Sequence, residues 1–244
     1  MRLLFILFLV LVLQVDQCDY EIETPKNTVI FNQLFIPIWT SLQLNNPEDA
    51  EQYAKQINLF DHKFDNQQDY GETWTEHIPS DLSVLEEAIT NKEYENAKEL
   101  ANCIMDELHL WHEANNQNYY FDKVWDFARC YRDLNTVIND VYLSLYEWND
   151  LEHFITEMND SWQVLLTTPI YLDGYHFEED PEVRKLEEYK RAISLCLQEF
   201  NSQLKDADRE VLANRCNEIE ENLVLMVSFF GNFTNKEEFL TLVD

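Results

Sequence analysis

The sequence predicts an all-α protein: an antiparallel helical bundle made of two duplicated helical-hairpin halves. Three observations carry that reading. Apolar residues recur at steps of three and four in Tyr94, Ala97, Ala101, Ile104, Leu108 and Trp111, and again along 186–204 and 212–230, the spacing of one helix face. Helix-start devices recur as Asn46-Pro47-Glu48-Asp49, Ser80-Asp81 and Asp180-Pro181-Glu182, where a capping side chain accompanies a first-turn proline or acid. Strand signals are confined to Thr167–Tyr171, inside a long loop from Thr167 to Asp180 that carries Pro169 and Gly174.

Taken in chain order, residues 1–17 read as a signal peptide. Arg2 precedes the unbroken apolar run Leu3–Leu13, which Gln14 and Asp16 close. Eleven apolar residues are too few for a bilayer span, which needs about 20. Cleavage after Gln17 would deliver the protein to the periplasm or the extracellular space. Residues 18–28 form an N-terminal extension, and 29–233 form the bundle. Its helices are expected near 29–44, 47–72, 80–90, 93–114, 119–137, 140–167, 182–204 and 208–230. Thr234-Asn235-Lys236-Glu237 is a capping-box pattern that opens a short C-terminal helix over 234–244. The pseudo-repeats would be 29–114 and 119–233. Glu99-Leu100-Ala101-Asn102-Cys103 echoes Val211-Leu212-Ala213-Asn214-Arg215-Cys216, each on the second helix of a hairpin, and Trp74 and Trp162 stand ahead of those hairpins.

Charge narrows the partners. Asp+Glu 47 against Lys+Arg 17 gives a formal net charge of -30, a surface that repels nucleic acid and anionic membrane because contact would add like charge. A protein partner or a cation fits it. With Gly71, Gly174 and Gly231 the only glycines, the clustered glycines of a phosphate-cradling loop are absent. No Ser-His-Asp or Cys-His order suggests a catalytic constellation, so the expectation is an exported acidic binding or interaction module without catalysis or cofactor.

Four cysteines in the body of an exported chain are disulfide candidates. Cys196 and Cys216 lie equally far from Asp206, and Cys103 and Cys130 are centred between Asn116 and Gln117; facing positions of a helical hairpin are equidistant from its turn. Bridges Cys196–Cys216 and Cys103–Cys130 are therefore expected. The sequons Asn159-Asp160-Ser161 and Asn232-Phe233-Thr234 would take glycans in a eukaryotic source.

Histidine supplies the alternative function, a bundle that binds a divalent or transition-metal ion. Asp106, His109 and His112 are one turn apart, and Asp150 and His153 repeat the carboxylate-x-x-His unit; bundle metal sites use such units with carboxylates from other helices. Asp61, Glu72 or Glu76 could complete the set. Carboxylates three residues ahead of histidine are common in so acidic a chain, and solvated helix faces are the preferred reading of these residues.

The layout resembles a group of exported all-helical bacterial proteins of unassigned function. The likeness rests on Trp74, Glu93-Tyr94-Glu95-Asn96-Ala97, Asn115 to Trp125 with Asp126-Phe127, Trp162-Gln163-Val164, and Phe229-Phe230-Gly231-Asn232-Phe233. It covers most of the chain after residue 30. It implies an all-α fold and an envelope location, and supplies no active-site residue.

Overall fold

A computed structural model describes residues 26–64, 78–139, 147–170, 180–204 and 209–231. Within them every regular element is a helix: α1 Lys26–Gln43, α2 Pro47–Phe64, α3 Ile78–Thr90, α4 Tyr94–Ala114, α5 Tyr120–Asn139, α6 Glu147–Thr167, α7 Asp180–Gln203 and α8 Arg209–Ser228. The expected signal peptide, the tail helix over 234–244 and the turn at Lys205-Asp206 lie outside the described residues, as does nearly all of the 18–28 extension. None of the described helices is long and apolar enough to cross a membrane.

Local chemistry explains the boundaries. Asn46 caps α2, its Oδ1 facing the Asp49 N–H at 3.5 Å while its Nδ2 donates to Asp49 Oδ2 at 2.6 Å. Three helices end on residues with left-handed backbone: Asn45 (φ 55°), Lys92 (φ 63°) and Asn116 (φ 54°). Each is followed by an N–H that reaches back over the last turn, Asn46 to Ser41 O, Glu93 to Ala88 O and Gln117 to His112 O. This is the Schellman closure, where glycine is usual and asparagine tolerable. In a chain almost without glycine, asparagine takes two of these positions and lysine the third.

At the centre stand α1, α4, α5 and α8. Helix α1 packs on α4 and α8, α5 packs on α8 and α4, and the outer helices join them as α1–α2, α2–α3, α3–α4, α5–α6 and α7–α8. Exchanging α1 with α5 and α4 with α8 maps the central contacts onto themselves. The core is aromatic. Trp39 meets Trp125 edge-on at 5.4 Å, Phe121 meets Phe230 at 5.1 Å and Phe127 meets Trp162 at 4.6 Å, geometries that the ring quadrupoles favour. Polar tips are satisfied between central helices: Trp39 Nε1 on α1 donates to Asn102 Oδ1 on α4 at 2.8 Å, and the Tyr131 hydroxyl on α5 donates to Cys216 O on α8 at 2.8 Å.

The two expected disulfides are not present; Cys103, Cys130, Cys196 and Cys216 are free thiols. The exposures of the four residues differ within each expected pair. Cys103 is exposed on α4, whereas Cys130 is half-buried toward α6, near Glu157 and Ser161. Cys216 is fully buried on α8, while Cys196 is half-buried on α7 among Glu199, Arg215 and Glu218. Equal distance from a turn sets the height of two residues and leaves their helical phase free. Asn159, the acceptor of one sequon, exchanges amide hydrogen bonds with Asn201 on α7, at 3.2 and 2.9 Å.

Candidate functional site

The tight turn between α4 and α5 brings five side chains together. Helix α5 starts with a reciprocal pair at Tyr119 and Asp122: the Asp122 N–H donates to Tyr119 O at 3.1 Å, and the Tyr119 N–H donates to Asp122 Oδ2 at 2.9 Å. A carboxylate three residues past the cap satisfies an orphan donor and suits the helix dipole. That bond fixes Asp122, whose other oxygen points at α4. There Asp122 Oδ1 lies 2.7 Å from His112 Nδ1 and 3.6 Å from His109 Nδ1.

One turn along α5, Asp126 Oδ1 sits 2.8 Å from His109 Nε2, and Glu113 Oε1 is 3.8 Å from the same nitrogen. The Asp126 contact is close, yet neither His109 nitrogen has a partner placed for a well-aligned hydrogen bond. It is a charge contact. His109 Nε2, Glu113 and Asp126 each offer one ligand atom, and these atoms lie within 4.8 Å of one another. Lys123 Nζ holds the far oxygen of Asp126 at 3.1 Å.

Both histidines are buried, at 3% and 1% exposure for His109 and His112, which corrects the expectation of solvated helix faces. Burial works against charge on His109, but the carboxylates of Asp122 and Asp126 more than reverse it and hold its pKa up at about 9. Burial opposes ionisation of Asp122 and Asp126 as well. His109 with His112 holds Asp122 below the usual carboxylate range, and His109 with Lys123 does the same for Asp126. His112 stacks edge-on against Tyr119 at 4.8 Å, and its Nε2 is buried without a hydrogen bond.

Other expected ligands stand elsewhere. Asp106 receives Trp125 Nε1 at 2.8 Å and Arg132 Nη2 at 2.6 Å, so it is a structural anion joining α4 to α5. His153 is exposed on α6 and faces Glu157 at 3.3 Å, taking no part in the cluster. The side chain of Asp150, and those of Asp61, Glu72 and Glu76, lie outside what the structure describes. Sequence reasoning missed Asp122, Asp126 and Glu113.

Solvent reaches the cluster from the side of Asp126, which with Lys123, Arg129 and Glu157 lines a groove of about 550 Å³ between α5 and α6. Burial pushes the thiols of Cys130, Cys196 and Cys216 up, the last to about 12, so none of these three is an activated nucleophile. No protein-family model matches the chain, and no curated protein or solved structure is significantly similar to it.

Proposed function

We propose that this protein is a non-catalytic binding protein whose ligand is a divalent transition-metal ion held by His109, Asp126 and Glu113. The observation that carries the reading is a buried imidazole nitrogen with two carboxylate oxygens at 2.8 and 3.8 Å, neither in line with it for a hydrogen bond. Ligands of a tetrahedral ion stand about 3.3 Å apart around a metal that each faces at about 2.0 Å. A mixed imidazole and carboxylate set suits zinc, manganese or iron(II).

Asp122 supports the reading from behind. A metal-bound histidine ordinarily donates its other ring N–H to a carboxylate, which orients the ring and raises its basicity, and Asp122 Oδ1 is 3.6 Å from His109 Nδ1. An ion would take over the charge that a proton on His109 supplies to the two aspartates. Export through residues 1–17 belongs to the same proposal and rests on the sequence alone.

The test is thermal unfolding with and without added zinc, manganese or iron(II), using untagged protein. A ligand that binds only the native state stabilises it by mass action, so a saturable rise in melting temperature is expected for the wild type and none for His109→Ala. Because His109 must lose its proton, affinity should climb about tenfold per pH unit up to about pH 9. Absence of any shift, or an equal shift in His109→Ala, refutes the proposal. A response to calcium alone does so too, since calcium takes oxygen ligands.

A further inference from the structure

A second feature lies where the central helices meet. Between α1, α4, α5 and α8 the packing leaves a cavity of about 90 Å³. Its aromatic wall is the Trp39–Trp125 pair, and Leu223 and Val224 of α8 border it on another side. Bundle cores and junctions between halves are common places for small-ligand sites, where a few polar groups project into an otherwise apolar space. Here the polar groups include two opposite charges, Arg132 on α5 and Glu220 on α8.

Neither charge is neutralised by the other; no ion pair joins them among the described residues. Arg132 Nη2 is 2.6 Å from Asp106 Oδ2, and Arg129 Nε is 3.7 Å from Asp106 Oδ1. Two guanidinium groups thus share one carboxylate, whose Oδ1 also accepts the Trp125 N–H, and positive charge is left over. The Arg132 guanidinium lies 5.7 Å from the centre of the Trp125 ring, an arrangement that steadies a planar cation while leaving some of its five donors available.

Glu220 is in the reverse position. Its nearby cation, Lys98, is committed to Asn45 Oδ1 at 3.0 Å and Glu95 at 3.4 Å. The Tyr131 hydroxyl donates to Cys216 O at 2.8 Å and also lies within hydrogen-bonding reach of the Glu220 carboxylate, which leaves the rest of that carboxylate's accepting capacity open. Burial, opposed in part by Lys98 and Tyr131, pushes the Glu220 carboxyl above its usual range. Cation and anion therefore border one small space, Arg132 with donors to spare and Glu220 with the cost of partial burial. A molecule with a carboxylate at one end and an ammonium at the other relieves both.

We infer that this cavity binds a compact zwitterion of the α-amino acid class, its carboxylate on Arg132 and its ammonium on Glu220. Size sets the members of that class. The space of about 90 Å³ is several times the roughly 10–15 Å³ that one water needs by the same measure, room for the amino and carboxylate groups of a small amino acid such as glycine or alanine. The amides of Asn102 and Asn135 supply further donors and acceptors at its edge.

The experiment is calorimetric or ligand-observed NMR titration of the full chain with glycine, alanine, acetate and methylammonium. Glycine or alanine should saturate at up to millimolar concentration. Acetate and methylammonium, each able to satisfy one charge, should bind at least about tenfold more weakly. Glu220→Gln should weaken glycine by about tenfold or more, the cost of stranding a desolvated charge, while leaving acetate unaffected. The ligand series on the wild type decides the matter if that variant fails to fold. No glycine or alanine binding, acetate or methylammonium binding as tight as glycine, or an unaffected Glu220→Gln overturns the inference. These outcomes are independent of the metal titration.

Discussion

Replacing Asp122 with asparagine tests how the α4–α5 cluster holds the fold. Asp122 is 3% exposed and accepts from the Tyr119 N–H while facing both histidines. Asparagine keeps the shape and one capping oxygen, and removes the charge. His109 would then be a buried imidazolium facing only Asp126, whose side chain is 29% exposed, or would surrender its proton. Removing one partner of a buried ion pair costs about 3–5 kcal/mol. The alternative of deprotonation sets a second bound: raising the His109 pKa from 6.5 to about 9 at about 1.4 kcal/mol per tenfold change in proton affinity amounts to about 3 kcal/mol. Water screens the exposed edge of Asp126, so the lower figure applies, and we expect Asp122→Asn to lose about 3 kcal/mol at pH 7. Urea unfolding followed by tryptophan fluorescence measures it, provided the denaturant slope is unchanged between the two proteins. A loss below about 1 kcal/mol, the level of an ordinary substitution, would refute the view that Asp122 and the histidines form one charged unit.

Three further outcomes are expected. Folding stability should fall on both sides of neutrality: the His109 contribution is complete below its unfolded pKa of about 6.5 and is lost as pH rises through about 9. The contributions of Asp122 and Asp126 are present above about pH 3.9 and vanish as pH falls through their lowered folded values. In His109→Gln the decline between pH 7 and 9 should flatten, and an unaltered profile would contradict the assignment. Thiol labelling of native, non-reduced protein should modify exposed Cys103 first, half-buried Cys130 and Cys196 more slowly, and buried Cys216 only on unfolding; protection of Cys103 together with Cys130 would restore the bridge. Lys92→Gly should stabilise the protein by roughly 1 kcal/mol in chemical denaturation, because Lys92 carries φ 63° at a turn where a Cβ is penalised, and a destabilised variant would show that the lysine side chain matters more than its backbone.

Much of the fold was legible because its signals are local. Asn46-Pro47 and Asp180-Pro181 mark helix starts within two residues of the observed ones, since capping chemistry acts over a single turn. The cluster was half legible, and the same construction that misled on the cysteines locates its missing half. Counting out from Gln117, His112 stands five residues before and Asp122 five after, while His109 and Asp126 stand eight before and nine after. Hairpin symmetry thus pairs each histidine with an aspartate of α5, as it paired Cys103 with Cys130. Phase separates the outcomes. His109 and His112 share a face with the apolar stripe Ala101, Met105 and Leu108, so they turn inward and meet α5, whereas Cys103 lies off that stripe and turns to solvent. The i−3 aspartate, Asp106, is drawn aside because Arg132 and Trp125 offer it better partners than an imidazole already held by two carboxylates. Spacing along one helix therefore misses the carboxylates that face His109. Distance from the turn combined with the phase of the buried stripe finds them, because in a hairpin the second helix, and not the next residue, faces the first.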